Sequence, residues 1–131
     1  MNPKIFSYTR SVLRDEIDVL NHVNNICYVQ WVQEAAERHW NVLCKELKVQ
    51  EYVWIVLRHE LDYIASAKLH DLIHINTWVE SSYGVKSVRI VEIYKGQELL
   101  VRAKTTWCLL EKNSMKPKRI PNEILEIFES S

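Results

Sequence analysis

"NNICYVQWVQEAAERHWNVLCKEL" spans residues 24 to 47, and its period decides the fold. Tyr28, Val29, Val32, Ala35, Ala36, Trp40, Leu43 and Leu47 recur mainly at steps of three and four. That spacing predicts one helix of about twenty residues with a broad apolar stripe. Asn24 or Asn25 suits the N-cap, because an amide oxygen can accept a first-turn N–H that lacks a helical partner. An apolar stripe of this length must be buried against another layer.

The rest of the chain supplies that layer. Residues 5 to 14, "IFSYTRSVLR", mix aromatic and β-branched side chains and predict a strand. After the helix the period changes to two. In "YVWIVLRHELDYI", Val53, Ile55, Leu57, His59, Leu61 and Tyr63 alternate with Trp54, Val56, Arg58, Glu60 and Asp62. In "LIHINTWVE", Ile73, Ile75, Thr77 and Val79 share a face. "VKSVRIVEIY" and "ELLVRAKTTWCLLE" predict two more strands, joined by a hairpin turn at Gly96 and preceded by a turn at Gly84. "IPNEILEIFESS" predicts a short closing helix with Pro121 in its first turn and Ile124, Leu125 and Phe128 facing inward. Short links between strands favour antiparallel neighbours. The expected class is α+β: a five-stranded antiparallel sheet wrapped around one long helix. Its outer face would carry Trp54, Arg58, His74, Trp78, Arg102 and Lys104. That mixture suits either a partner subunit or solvent.

Bulk properties narrow the function. The 131 residues suit one domain, 1–131. The 17 basic and 17 acidic residues cancel, so no overall field draws the chain to nucleic acid or membrane. Gly84 and Gly96 are the only glycines. Gly-rich phosphate loops and dinucleotide fingerprints need several in one run. Cys27, Cys44 and Cys108 are odd in number and widely spaced, which argues against a disulfide framework. A cytoplasmic protein is expected, since no signal peptide or membrane span is visible.

Most reactive side chains offer little. His70 and His74 in an extended strand would lie roughly 13 Å apart, too far for one ion. His39 has no metal-ligand residue three or four positions away. Neither a metal nor a cofactor is expected. Cys27 reads as a small buried side chain before it reads as a nucleophile. The run "EKNSMKPKRIP" could meet a phosphate or simply face solvent. "DVLNHVNN", residues 18 to 25, stands apart. It is either a polar loop capping the helix or a reaction centre. A helix N-terminus offers free N–H groups to a developing oxyanion. A neighbouring carboxylate can attack a carbonyl or activate water, and a histidine can orient either.

Residues 14 to 37, "RDEIDVLNHVNNICYVQWVQEAAE", resemble hotdog-fold acyl-CoA thioesterases of the 4-hydroxybenzoyl-CoA thioesterase type. These show an Asp, a GHVNN-like run, a Tyr opening the helix and a later Glu-Ala. Asp18, His22, Val23, Asn24, Asn25, Tyr28, Glu34 and Ala35 fall on that pattern. Residues 61 to 80, "SYGVKSVRIVEIY" and "KPKRIP" extend the resemblance over nearly the whole chain. It implies hydrolysis of an acyl thioester of coenzyme A or acyl carrier protein by a homodimer, often paired into a homotetramer, with sites at the subunit interface. Asp18 would be general base or nucleophile, the Asn25 backbone N–H would polarise the carbonyl, and His22 would assist. Asn24, Tyr28 and Glu34 would border the substrate. Arg58 and Lys86 would meet the coenzyme A phosphates, with Arg89, Lys118 and Arg119 as further candidates. The chain departs from the related plant acyl-carrier-protein thioesterases at Leu20, where they carry Asn, and at Ser66 and Ala67, where they carry a Glu-Cys pair. Asn21 replaces a frequent Gly. The alternatives are a hydratase or dehydratase of the same fold, whose DxNPxH motif "DVLNH" does not match, and a non-catalytic acyl-CoA-binding protein.

Overall fold

The computed structural model describes residues 2–45, 47 and 51–129. The elements in chain order are β1 (Phe6–Ser11), α1 (Asn25–Leu43), β2 (Tyr52–Tyr63), β3 (Leu72–Tyr83), β4 (Lys86–Lys95), β5 (Glu98–Glu111) and α2 (Asn122–Ile127). All five strands form one sheet in the order β1-β3-β4-β5-β2, with every pairing antiparallel. The sheet curls around α1, as the helical stripe requires. β1 stops at Ser11, short of the expected Arg14, because Arg14–Glu16 coil into a single 3₁₀ turn.

α1 begins where Asn24 caps it and ends with Cys44 N–H donating to Trp40 O at 3.0 Å. Leu47, expected on the last turn, lies beyond the helix but still packs on the apolar cluster there. Tyr28, Trp31, Val32, Ala35, Ala36 and His39 form the buried face. Its first half meets Val23, Ile73, Ile75, Val91, Ile93 and Val101. Its second half meets Trp54, Leu109, Ile124 and Phe128 through Trp40 and Leu43. Pro121 precedes α2 as its cap, and Ile124 and Phe128 face inward as their spacing predicts.

Strict alternation fails in β2. Val56 pairs with Trp107, Arg58 pairs with Thr106, and Leu57 is left over as a bulge. One extra residue inverts the phase of everything before it. Trp54 therefore lies on the inner face, edge-on to Trp40 at 5.6 Å, and not on the outer face. Ile55 and Leu57 are exposed instead. The outer face carries the ion pairs Arg58–Glu60, Arg102–Glu92 and Lys104–Glu80.

A polar seam crosses the inner face beneath α1. His59 bridges Gln33 at 3.3 Å and Thr105 at 2.8 Å. Arg89 Nη1 reaches His39 Nδ1 at 2.8 Å and Thr77 Oγ1 at 3.1 Å. Arg89 is thus buried beneath the helix, and it is not the surface cation expected at a phosphate rim. The strand period turns it inward with Val91 and Ile93.

Candidate active site

The loop before α1 is closed by an isolated bridge between Ile17 and Val23. Asp18 lies inside the loop, on the turn side of that bridge, and Asn25 follows two residues past Val23 on its other side, where the helix begins. Inside the loop, Asp18 N–H donates to His22 O at 2.8 Å, and Asn21 N–H donates to Asp18 O at 3.1 Å. Asp18 Oδ1 accepts the N–H groups of Leu20 at 2.9 Å and His22 at 3.1 Å. One carboxylate oxygen is thereby fixed, and Oδ2 has no partner among the described residues. Asn21 holds the tight turn at φ 62°. Asparagine tolerates that left-handed conformation better than most residues do.

Asn24 accepts Ile26 N–H at 3.1 Å, which settles the capping role on it. Asn25 is the first helical residue, and its backbone N–H finds no acceptor among the described residues. First-turn N–H groups carry the positive end of the helix dipole. His22 is half-buried, and its ring has no partner among the described residues. The Cys27 thiol points to Glu16 O at 3.8 Å. Burial and the Glu16 charge push its pKa up, away from the thiolate a nucleophile needs.

Glu16 is the residue that sequence reasoning missed. Its carboxylate accepts from Arg10 at 2.5 Å, Leu13 N–H at 2.9 Å and Trp31 Nε1 at 3.0 Å. Its carbonyl accepts Asn24 N–H at 2.8 Å. It therefore ties the loop to β1 and to the buried face of α1. Glu16→Ala strands the Trp31 N–H and the Arg10 cation together. The expected cost is about 2–3 kcal/mol, a fall of roughly 10 °C in Tm, with Glu16→Gln losing clearly less. A thermal melt showing Glu16→Ala unchanged would refute this anchoring role.

The other expected site residues are not gathered at Asp18 within one chain. Tyr28 is only 1% exposed, and its hydroxyl accepts Ala67 N–H at 2.9 Å, so it supports the site from beneath. Glu34 pairs with Arg38 at 2.9 Å, roughly 14 Å along the helix from Asn25. Arg58 pairs with Glu60 at 2.7 Å and is 71% exposed. Lys86 is exposed at the start of β4, beside Cys108. The loop side of the sheet is marked by Leu100, whose carbonyl accepts from Ile64 and Ala65. From Leu100 to Cys108 is about 27 Å of strand. Lys118 and Arg119 are exposed on the turn after β5. Among the described residues, no three His, Cys, Asp or Glu side chains converge as metal ligands would. No helix among them is long and apolar enough to cross a membrane.

A five-stranded antiparallel sheet wrapped around one long helix is the hotdog fold. The chain matches the acyl-ACP thioesterase N-terminal domain over residues 3–128 and belongs to that family of hydrolases. It is 24% identical over 132 residues to the acyl-CoA thioester hydrolase YbgC of Escherichia coli O6:H1, covering 98% of each chain. Among solved structures it resembles a 1,4-dihydroxy-2-naphthoyl-CoA thioesterase from Synechocystis, with TM-score 0.82, 20% identity, and 95% and 96% of the two chains covered. A Staphylococcus aureus protein solved with CoA superposes with TM-score 0.86 at 15% identity, covering 100% of this chain and 89% of that one.

Proposed function

We propose that the protein hydrolyses an acyl-CoA thioester to a free acid and CoA thiol, with Asp18 as the reacting carboxylate. One observation carries this reading. Asp18 has one oxygen held by two N–H groups and the other without a partner among the described residues, in the loop that runs directly into a helix whose first N–H, at Asn25, has no acceptor among them. The thioester carbonyl oxygen would accept from Asn25 N–H, and the negative charge developing on it would be held by the helix N-terminus. Asp18 either removes a proton from the attacking water or attacks the carbonyl itself to form an anhydride that water then opens. In both routes the C–S bond breaks and the departing thiolate takes up a proton. His22 faces the same loop and orients the water. Asn24 borders the substrate by holding the first turn.

The site is completed by a second copy. β2 is a twelve-residue edge strand with its outer ladder unpaired. Ile55, Leu57 and Tyr63 on it are exposed, as are Leu20, Ile26 and Ile64 beside the Asp18 loop. Long edges with apolar side chains are usually covered. Antiparallel pairing of β2 with a second β2 is two-fold and self-complementary. It carries the basic end of one sheet, with Arg58 and Lys86, toward the acidic loop of the other, where coenzyme A phosphates need cations. Glu34 and Tyr28 would then back the shared cleft.

The test is thiol release over a panel of straight-chain and aromatic acyl-CoAs and acyl carrier protein esters, alongside a solution mass. Release from at least one CoA ester and a dimer or tetramer at micromolar concentration are expected. Absence of release from every ester would reject hydrolysis. A monomer with full activity would reject the shared site.

A further inference from the structure

The second half of α1 covers a cavity of about 320 Å³ against β2, β4 and β5. Its centre lies well along the helix: Ala36, on its wall, is roughly 17 Å from Asn25. Trp40, Tyr52, Trp54, Trp107 and Phe128 give it an aromatic lining. Trp40 and Phe128 are 6.1 Å apart between ring centres, and Trp54 and Phe128 are 6.2 Å apart. Into this apolar wall the chain places Arg89, which is only 5% exposed.

A buried guanidinium is ordinarily paired with a carboxylate, because taking a cation out of water costs several kcal/mol. Arg89 has no such pair among the described residues. Glu37 also lines the cavity, but it is exposed and forms no ion pair with Arg89. The two partners of Arg89, His39 Nδ1 and Thr77 Oγ1, are neutral acceptors on Nη1 alone. Burial and the Arg89 charge hold His39 deprotonated, with its pKa lowered to about 4. The guanidinium fork carries N–H groups on three nitrogens; those on Nε and Nη2 have no acceptor among the described residues and are not fully buried, so they are open to the cavity. The indole N–H of Trp107, on the same wall, is buried and equally without an acceptor. Buried donors in native proteins are almost always satisfied. The cavity therefore holds a cation and unmatched donors, surrounded by aromatic surface, with a volume suited to a small organic molecule.

We propose that this cavity binds a carboxylate borne on an aryl or short alkyl body, the carboxylate accepting from Arg89 and the body lying among Trp40, Trp54 and Trp107. A planar two-oxygen acceptor matches the guanidinium fork and supplies the ion-pair partner that Arg89 does not receive from Glu37. A phosphate would bring a second charge into apolar surroundings with nothing to balance it. The carboxylate has two possible sources: the far end of a dicarboxylic acyl chain on coenzyme A, or a free organic acid. The inference does not depend on the chemistry assigned to Asp18.

The test pairs each acid with its neutral isostere: phenylacetate against phenylacetamide, and adipate against adipamide. Binding is read by quenching of tryptophan fluorescence and by calorimetry on the full chain, with Asp18→Asn as a background that binds but does not turn over. The acid should bind roughly tenfold or more tighter than the amide, the worth of one charge-assisted hydrogen bond. Arg89→Met, which keeps the volume and removes the charge, should erase that preference. Trp107→Phe, which removes the N–H along with the five-membered ring, should reduce the ratio of acid to amide affinity, because the lost ring area affects both ligands alike. Equal binding of acid and amide to the wild type, or a preference that survives Arg89→Met, would overturn the proposal, as would no binding of either acid at 10 mM (roughly 2.7 kcal/mol of affinity). If Arg89→Met does not fold, the wild-type comparison and Trp107→Phe still decide. Thiol release from hexadecanedioyl-CoA against hexadecanoyl-CoA, chains long enough to reach from Asn25 to the cavity, then separates the sources. A substrate tail gives hexadecanedioyl-CoA the higher kcat/KM in the wild type only, whereas a free acid leaves that ratio the same in wild type and Arg89→Met.

Discussion

Asp18→Asn should lower kcat/KM for the best acyl-CoA substrate by about a thousandfold, within the range that loss of a general base gives. The substitution is selective because of how the loop is held. The Leu20 and His22 N–H groups bond to Oδ1. An amide oxygen can take that place, so the loop should keep its shape. The amide nitrogen then occupies the position of Oδ2, where it can neither take a proton from water nor attack a carbonyl. Stability should hardly change, which circular dichroism melts would check. Asp18→Ala should lose activity and loop order together. Equal rates for wild type and Asp18→Asn would remove Asp18 from the chemistry. A single turnover in ¹⁸O-water separates the two roles that remain. Water opening an anhydride at Asp18 can leave label in the protein carboxylate, whereas a general base leaves it only in the product acid.

Acid should destabilise the protein through His39. Burial, Arg89 and Lys4 lower its pKa from 6.5 to about 4. Between those values the unfolded chain binds a proton that the folded chain refuses. Stability from this group is therefore fully present above pH 6.5 and is lost as pH falls toward 4. The loss by pH 4.5 should be roughly 2–3 kcal/mol, at 1.36 kcal/mol per unit. Urea unfolding at pH 7 and pH 4.5 measures it. His39→Gln retains an acceptor for Arg89 and does not titrate, so it should flatten the difference. An equal loss in wild type and His39→Gln would assign the acid sensitivity to other groups.

Much of this was legible in the sequence, for identifiable reasons. The α1 stripe and the period-two strands follow from burial on one face, and those elements appear with ends shifted by a few residues. The loop of Asp18, Asn24 and Asn25 was visible because capping is local chemistry. Three features were not. The bulge at Leu57 carries no glycine or proline to announce it. Arg89 reads as a surface cation until the register of β4 with β3 turns it beneath α1. Glu16 looks like one more exposed acid in "RDEID", since its partners Arg10 and Trp31 come from separate elements. Pairing across elements is what a single sequence conceals.

The bulge has a consequence for chain length. Val56 faces inward opposite Trp107, and Arg58 faces outward opposite Thr106, as adjacent rungs of an unbroken ladder would. Removing Leu57 would join those rungs directly, and every other side chain of β2 would keep its face. Insertions and deletions inside a strand ordinarily reverse one side of it. Here the strand has an expansion joint, so β2 can differ by one residue between relatives while Trp54 stays under α1 against Trp40.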